Sequence, residues 1–359
     1  MSAKAQPSVI RIVGQNKGGG ARVHFFQLNT ELVRNGQHPV TFIPAPSFAD
    51  PVTHRELVGL DYRHTMGFGA ILCEAHSQSR PLYIHSHLRN ATIKGALLAS
   101  MLSVSHVVTV HGPLYEGKGA PRDHLIARAF GLALRRARLV IFISAFVRDH
   151  VLQQAHVGRS QIASTVIYNG SDDLGLAPPA PSDAPLRVVV VGELTHRKGM
   201  EDLLGLIDLL QEGDLPNLTI DVFGRGPYEN ALRARASGRV NLNVRGYEKH
   251  VAAIFHNSDV HLILSRTEGF GRVLTEAMSA GVPTLAYRAG AFPEIVTSGV
   301  DGILTESLSE IARTLRELAA DRSRLAPLRE AARTTYKRRF TTRHFARATI
   351  KAIDQAIDR

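Results

Sequence analysis

The chain has one cysteine, Cys73, and no tryptophan among its 359 residues. A lone cysteine excludes an intrachain disulfide framework and any zinc cluster built on thiolates. No stretch reaches the ~18–20 uninterrupted apolar residues that a membrane helix needs. The nearest, from Gly95 to Val110, follows Lys94 and contains His106. The first residues show no apolar core behind basic ones, so no secretory signal is expected and the reading is a cytoplasmic protein. Zinc-finger spacing, an aromatic RNA-binding motif, a GxGxxG fingerprint and a GxxxxGKS/T loop are also missing. Despite a net charge of +11, nucleic acid is therefore not an expected partner.

What is present is ordinary in bulk: 44% hydrophobic and 21% charged residues, a balance too apolar for disorder. The length suits two domains at roughly 100–200 residues each. Charge is unevenly spread. Residues 1–180 carry a net +8, residues 181–310 a net −5, and residues 311–359 a net +8. The basic segments are suited to polyanions such as lipid headgroups and anionic glycans.

Short β-rich runs alternate with helical patterns. In the first half the runs are Val9–Val13, Val40–Pro44, Leu82–Ile84, Val107–Val110, Leu139–Ser144 and Val166–Tyr168. Several are apolar on both faces, as parallel strands covered by helices are. Helices are expected over Val23–Arg34, Thr92–Leu102 and Asp123–Arg138. Ala177–Pro185 then reads APPAPSDAP, which reads as a linker rather than a central strand or helix interior. The alternation restarts with Leu186–Val191, Leu218–Phe223, Val240–Val244, Val260–Ser265 and Thr284–Tyr287. This α/β order predicts two Rossmann-like doubly wound domains, residues 1–176 and 187–340, facing across a cleft, with a linker over 177–186. Phe345, Thr349, Ile353 and Ile357 stand at helical spacing in a tail helix over 341–359, which packs either on its own domain or back across the hinge.

Three segments carry chemistry. Gly18-Gly19-Gly20 follows the first strand and opens a helix, suiting either a tight turn or a phosphate at the helix N-terminus. In Val190–Gly199, Arg197 and Lys198 stand in a strand-end loop ahead of a helix, as a diphosphate site or as a solvated pair. Ser265–Gly281 reads SRTEGFGRVLTEAMSAG, with Glu268 in a glycine-bordered loop and Glu276 about one turn into a helix. Such carboxylates can accept hydrogen bonds from vicinal sugar hydroxyls, or can be ordinary solvated charges.

The run from Glu268 through Glu276 to Gly281-Val-Pro283 resembles the EX7E signature of the retaining glycosyltransferases of family 4. Gly19-Gly20 is similar to that family's glycine loop, Thr109-Val-His111-Gly112 to its T-x-H-G strand end, and Asn169-Gly-Ser-Asp172 to its NGVD segment. Gly192 to Gly199, Gly224-x-Gly226-Pro227 and Gly290-Ala-Phe-Pro293-Glu294 follow in order, so that the resemblance covers about Val9 to Leu304.

The resemblance implies a GT-B fold and a retaining transfer from a UDP- or GDP-sugar, with no metal and no cofactor. The acceptor would be a glycan, a lipid-linked or a small molecule, in bacterial cell-surface polysaccharide or glycoconjugate assembly. Glu276 would hold the ribose, Lys198 with Arg197 the diphosphate, and Glu268 the donor sugar. Backbone N–H groups of Phe270, Gly271, Arg272 and Val273 would surround sugar and phosphate, while Gly246 and Tyr247 would border the base. Gly19 and Gly20 would close over the diphosphate, and His111 would stand at the donor sugar. Arg22 and His24 would meet the acceptor. Arg128, Arg135, Arg136 and Arg138 make Asp123–Arg138 a basic amphipathic helix, suited to an anionic membrane surface or to solvent.

One position departs from the family pattern: Glu193 in Gly192-Glu193-Leu194 replaces a usual arginine. A carboxylate there would repel a diphosphate unless it turns away and Arg197 supplies the cation. That departure motivates a binding-only alternative. A sugar-nucleotide epimerase or phosphorylase of the same fold is the other.

Overall fold

The computed structural model describes residues 8–13, 20–34, 36, 39–42, 62–63, 68–77, 82–115, 117, 119–179, 181, 184–212, 217–236, 238 and 240–358. The chain forms two compact units, residues 1–169 with 342–359, and residues 170–341.

The first unit holds strands β1 Ser8–Val13, β2 Val40–Phe42, β3 Tyr62–Arg63, β4 Leu82–His87, β5 Ser105–Val110, β6 Leu139–Phe142 and β7 Ser164–Val166. They form one sheet in the order β3-β2-β1-β4-β5-β6-β7, with every pair parallel. Parallel neighbours need crossover connections, which described helices supply between β1 and β2, β4 and β5, β5 and β6, and β6 and β7. The β-branched and apolar residues of β6 are buried throughout, as expected for strands covered on both faces. Expected and observed helices agree within three residues: Gly20–Arg34, Arg89–Leu102 and Pro121–Arg136. The tail helix, Thr342–Ile357, packs on this unit. Its Phe345, Ala346 and Ile353 join a core cluster with Val9, Leu28, Leu32 and Tyr83.

The second unit holds β8 Leu186–Val191, β9 Leu218–Phe223, β10 Asn241–Gly246, β11 Val260–Ile263, β12 Thr284–Tyr287 and β13 Gly302–Thr305. Their order is β10-β9-β8-β11-β12-β13, again all parallel. In each sheet the chain first builds outward on one side and then returns to the centre to build on the other. The reversal falls between β1 and β4 in the first sheet and between β8 and β11 in the second. Loops leaving the carboxyl ends of two such strands diverge to opposite faces and leave a crevice, where ligands of open α/β sheets bind.

The division between the two units falls at Gly170, ahead of the proline-rich segment. Proline lacks an N–H but keeps its carbonyl. Here the carbonyls are what hold the segment: Arg322 Nη1 donates to the oxygens of Pro181 (3.0 Å) and Ala184 (2.7 Å), and Arg329 Nη2 donates to that of Ala177 (2.6 Å). Among the described residues, no helix is long and apolar enough to cross a membrane.

Candidate functional site

Lys198 and Glu268 come from loops leaving the two strands of the second reversal, β8 and β11. Lys198 ends a short 3-10 turn, His196–Lys198, which closes on Gly199 at φ 76°. A Cβ at Gly199 would lie 2.2 Å from the carbonyl oxygen of Leu264, so the two loops approach too closely for any side chain there. Lys198 Nζ reaches Glu268 Oε2 at 2.6 Å, with both side chains largely buried. Glu268 is itself fixed by backbone. Ala291 N–H donates to its carbonyl at 3.0 Å, and a Cβ at Gly290 would meet Glu268 O at 2.6 Å.

After Glu268 the chain turns through Gly271 into the helix Arg272–Ser279. The first N–H groups of a helix have no intrahelical acceptor, so those of Arg272 and Val273 are available at its positive end. Arg272 Nη2 donates to Glu276 Oε1 at 2.9 Å, one turn along. Burial raises the Glu276 carboxyl above the ordinary glutamate value; Arg272 opposes the shift and Asp172 adds to it. The result is a partly desolvated carboxylate able to accept hydrogen bonds.

The remaining residues expected on the donor side differ in exposure. Phe270 is buried and meets Phe340 edge-on at 6.1 Å. Gly246 ends β10 at φ 78°, and Tyr247 after it is 68% exposed. Glu193 is exposed, with Oε2 3.7 Å from Arg197 Nη2, also exposed. A pair like that in water is worth about 0–1 kcal/mol.

The first reversal carries a different set. Arg11 on β1, His85 and His87 on β4, and Thr109 and His111 at the end of β5 converge there, with His24 from the helix Gly20–Arg34. Arg11 is fully buried. Its Nη1 donates to Phe25 O at 3.2 Å and to Asn29 Oδ1, its Nη2 lies 2.6 Å from His87 Nε2, and its guanidinium stands 4.1 Å over the Phe25 ring. Asn29 in turn donates to Thr41 Oγ1 at 3.1 Å. His87 Nδ1 lies 3.0 Å from His111 Nε2, His85 Nε2 lies 2.8 Å from Thr109 Oγ1, and His24 Nδ1 lies 2.5 Å from Asn169 Oδ1. Burial drives all these rings toward the neutral form: His111 falls to about 3, His24, His85 and His87 well below the usual histidine value, with Arg11 adding to each shift. Burial also lowers the Arg11 guanidinium, to about 9, which leaves it charged at neutral pH.

His24 thus packs beneath His111, with ring centroids 4.6 Å apart, and against Phe345 at 4.3 Å. Nitrogen atoms of His24, His87 and His111 all lie within 4.8 Å of one another, a spacing that three metal ligands can have. Gly19 lies outside the described residues, while Gly20 and Arg22 are placed in the helix by their backbone alone.

Arg11, His85 and His87 are absent from the sequence-based site. Leu82–Ile84 was expected to end where the polar residues begin, yet β4 continues to His87. A signal was there to read. Arg11, His85 and His87, and Thr109 and His111 interrupt otherwise apolar strands at a two-residue period, which puts them on one sheet face.

A family model described as Glycosyltransferase Family 4 matches residues 18–173, and one described as Glycosyl transferases group 1 matches residues 178–335. A D-inositol 3-phosphate glycosyltransferase of Xylanimonas cellulosilytica is 25% identical over a 393-residue alignment that covers 96% of this chain and 94% of the relative. An uncharacterized glycosyltransferase of Methanocaldococcus jannaschii is 27% identical over 240 residues, 62% of this chain and 60% of that protein's length. The crystal structure of Anabaena HepE in complex with UDP has a TM-score of 0.81 at 22% identity, covering 97% of this chain and 100% of that one. HepE has also been solved with UDP-glucose.

Proposed function

The chain belongs to the family-4-like glycosyltransferases of GT-B fold, with two Rossmann-like domains; from that premise we propose that it transfers a sugar from a nucleoside diphosphate sugar with retention of anomeric configuration. The observation that carries the reading is the Lys198–Glu268 pair at 2.6 Å, set at the β8/β11 reversal ahead of the Arg272–Ser279 helix.

The task is to break the bond between the anomeric carbon and a diphosphate oxygen. Negative charge grows on the leaving diphosphate, and prearranged cations with helix-end N–H groups offset it. In the proposed complex Lys198 leaves Glu268 for the diphosphate, Arg197 adds a second cation, and the N–H groups of Gly271, Arg272 and Val273 complete the cradle without a metal. Freed from Lys198, Glu268 accepts from donor-sugar hydroxyls as a positioning group. Glu276 takes the ribose hydroxyls, and Gly246 and Tyr247 border the base. The incoming hydroxyl attacks the face from which the diphosphate departs and gives its proton to that diphosphate. HepE binds UDP, which makes UDP the first nucleotide to try.

The acceptor is a glycan, a lipid-linked or a small molecule of bacterial surface assembly. A membrane-borne acceptor is favoured by one surface of the first unit. Leu125, Arg128, Leu132 and Arg136 follow one exposed stripe of Pro121–Arg136, and the adjoining helix Arg89–Leu102 exposes Leu97 and Met101. Exposed leucines among arginines suit an anionic interface. Liposome flotation that is indifferent to anionic lipid would remove this part.

The test of the main reading is a thermal-shift panel with UDP, GDP, ADP and their sugar conjugates, on the parent chain and on Glu276→Ala. A ligand at about 100 times its Kd adds roughly 2.7 kcal/mol. A shift with one nucleotide family that is lost in Glu276→Ala supports the donor site, and no shift with any of them overturns it. Product stereochemistry by NMR then decides retention.

A further inference from the structure

The hydrogen positions at the first reversal follow from one fixed point. A guanidinium donates and has no lone pair to offer, so the nitrogen it faces must accept. Arg11 Nη2 lies 2.6 Å from His87 Nε2, which therefore carries no hydrogen. The neutral His87 ring then bears its hydrogen on Nδ1, which faces His111 Nε2 at 3.0 Å. Nδ1–H donates, His111 Nε2 accepts, and the hydrogen of the neutral His111 ring is left on its own Nδ1. That atom is buried and has no hydrogen-bond partner among the described residues. An unpaired buried N–H is unfavourable, and an incoming oxygen that accepts from it removes the penalty.

We infer that Arg11 is a positioning residue: through His87 it fixes His111 as the Nδ1–H tautomer, so that His111 offers a substrate oxygen a hydrogen-bond donor and not a ring lone pair. The assignment of the hydrogens rests on the local geometry, while its bearing on sugar transfer rests on the function proposed above.

The same assignment argues against a metal at His24, His87 and His111. A ligand must turn a lone pair to the ion, and the Nδ1 that His87 would turn inward carries a hydrogen. A divalent ion would also stand beside a buried guanidinium whose described partners are all neutral, with no carboxylate to offset the added charge.

The measurement is the long-range proton–nitrogen-15 correlation spectrum of the full chain at pH 7, with His111 assigned by difference against His111→Gln. A neutral Nδ1–H pattern for His111 is expected; an Nε2–H or doubly protonated ring overturns the inference. Arg11→Met removes the fixed donor and should leave His111 as a mixture of tautomers, so a pure Nδ1–H ring in the folded variant would deny Arg11 its role. His87→Asn keeps an N–H facing His111 and should keep its tautomer. His87→Asp offers only acceptors and should move the hydrogen to Nε2. Turnover of whichever nucleotide sugar passes the thermal-shift panel should then fall in kcat by about tenfold or more in His87→Asp, with little change in KM, and recover in His87→Asn. A switched tautomer with unchanged kcat would overturn the role in the reaction. Absent turnover in the parent chain, with the Nδ1–H spectrum intact, would instead fail the proposed function alone.

Discussion

The two sheets reverse direction at equivalent places, yet they fill the crevice with opposite chemistry. At the β8/β11 reversal cations are matched to carboxylates, Lys198 to Glu268 and Arg272 to Glu276, and the side chains keep some contact with water. At the β1/β4 reversal one fully buried guanidinium is surrounded by neutral rings and amides. The first arrangement can exchange partners at modest cost, because a displaced carboxylate or ammonium remains partly hydrated. The second cannot, since any proton or ion added there meets a low-dielectric, already positive site. One topology thus supplies an exchangeable ionic site and a rigid one whose single buried charge has only neutral partners.

Acid should separate the two most sharply. His24, His85, His87, His106 and His111 in the first unit have pKa values held below the ordinary value, chiefly by burial, against His261 alone in the second among the described residues. For a group whose folded pKa is depressed, the stabilisation is complete above its unfolded value near 6.5. It is lost as pH falls toward the folded values, about 4 for His106 and about 3 for His111. Each group loses up to about 1.4 kcal/mol per pH unit, so the five together lose on the order of 5 kcal/mol between pH 6 and pH 5. That rivals the whole stability of a domain. Calorimetry with hydrogen exchange should therefore find the first unit unfolding before the second as pH drops; simultaneous loss would erase the contrast.

Next in size is Lys198→Met, which removes the proposed diphosphate cation and should lower kcat/KM for sugar transfer by about 100-fold while the fold survives. A smaller effect distinguishes Glu276. Its raised carboxyl contributes stability below the ordinary glutamate pKa and loses it as pH rises through the folded value. Glu276→Gln, which still accepts from Arg272, should match the parent near pH 4 and exceed its Tm by about 2 °C at pH 8. Smallest of all is Glu193→Ala. An exposed carboxylate paired loosely with Arg197 should change stability by less than about 0.5 kcal/mol and turnover by less than about threefold. A large gain in turnover would mean that Glu193 does face the diphosphate.

Much of this was readable from the chain. Apolar β-branched runs located most strands of both sheets, because burial in the sheet leaves a readable pattern. The ordered motifs from Gly19 to Glu294 led to the family, and through that resemblance to Lys198, Glu268 and Glu276. Tyr62–Arg63 and Gly302–Thr305 were missed, since two residues or a glycine-led run of four carry too little pattern. The end of β4 was missed for a better reason: His85, Ser86 and His87 read as polar and hence as loop. Their partners, Thr109, His106, Arg11 and His111, come from other strands and are invisible locally. Buried polar networks satisfy themselves through long-range contacts, and single-chain patterns do not record those.

The tail helix has a consequence for how the molecule is made. The core cluster of Val9, Leu28, Leu32 and Tyr83 is closed by Phe345, Ala346 and Ile353, which leave the ribosome after the whole second unit. At ~5–20 residues per second, synthesis of residues 170–341 takes roughly 10 to 30 seconds. For that interval the nascent first unit carries an uncovered apolar face. Shielding of that face during translation should therefore matter, because the core of the first unit is complete only once the Thr342–Ile357 helix has been made.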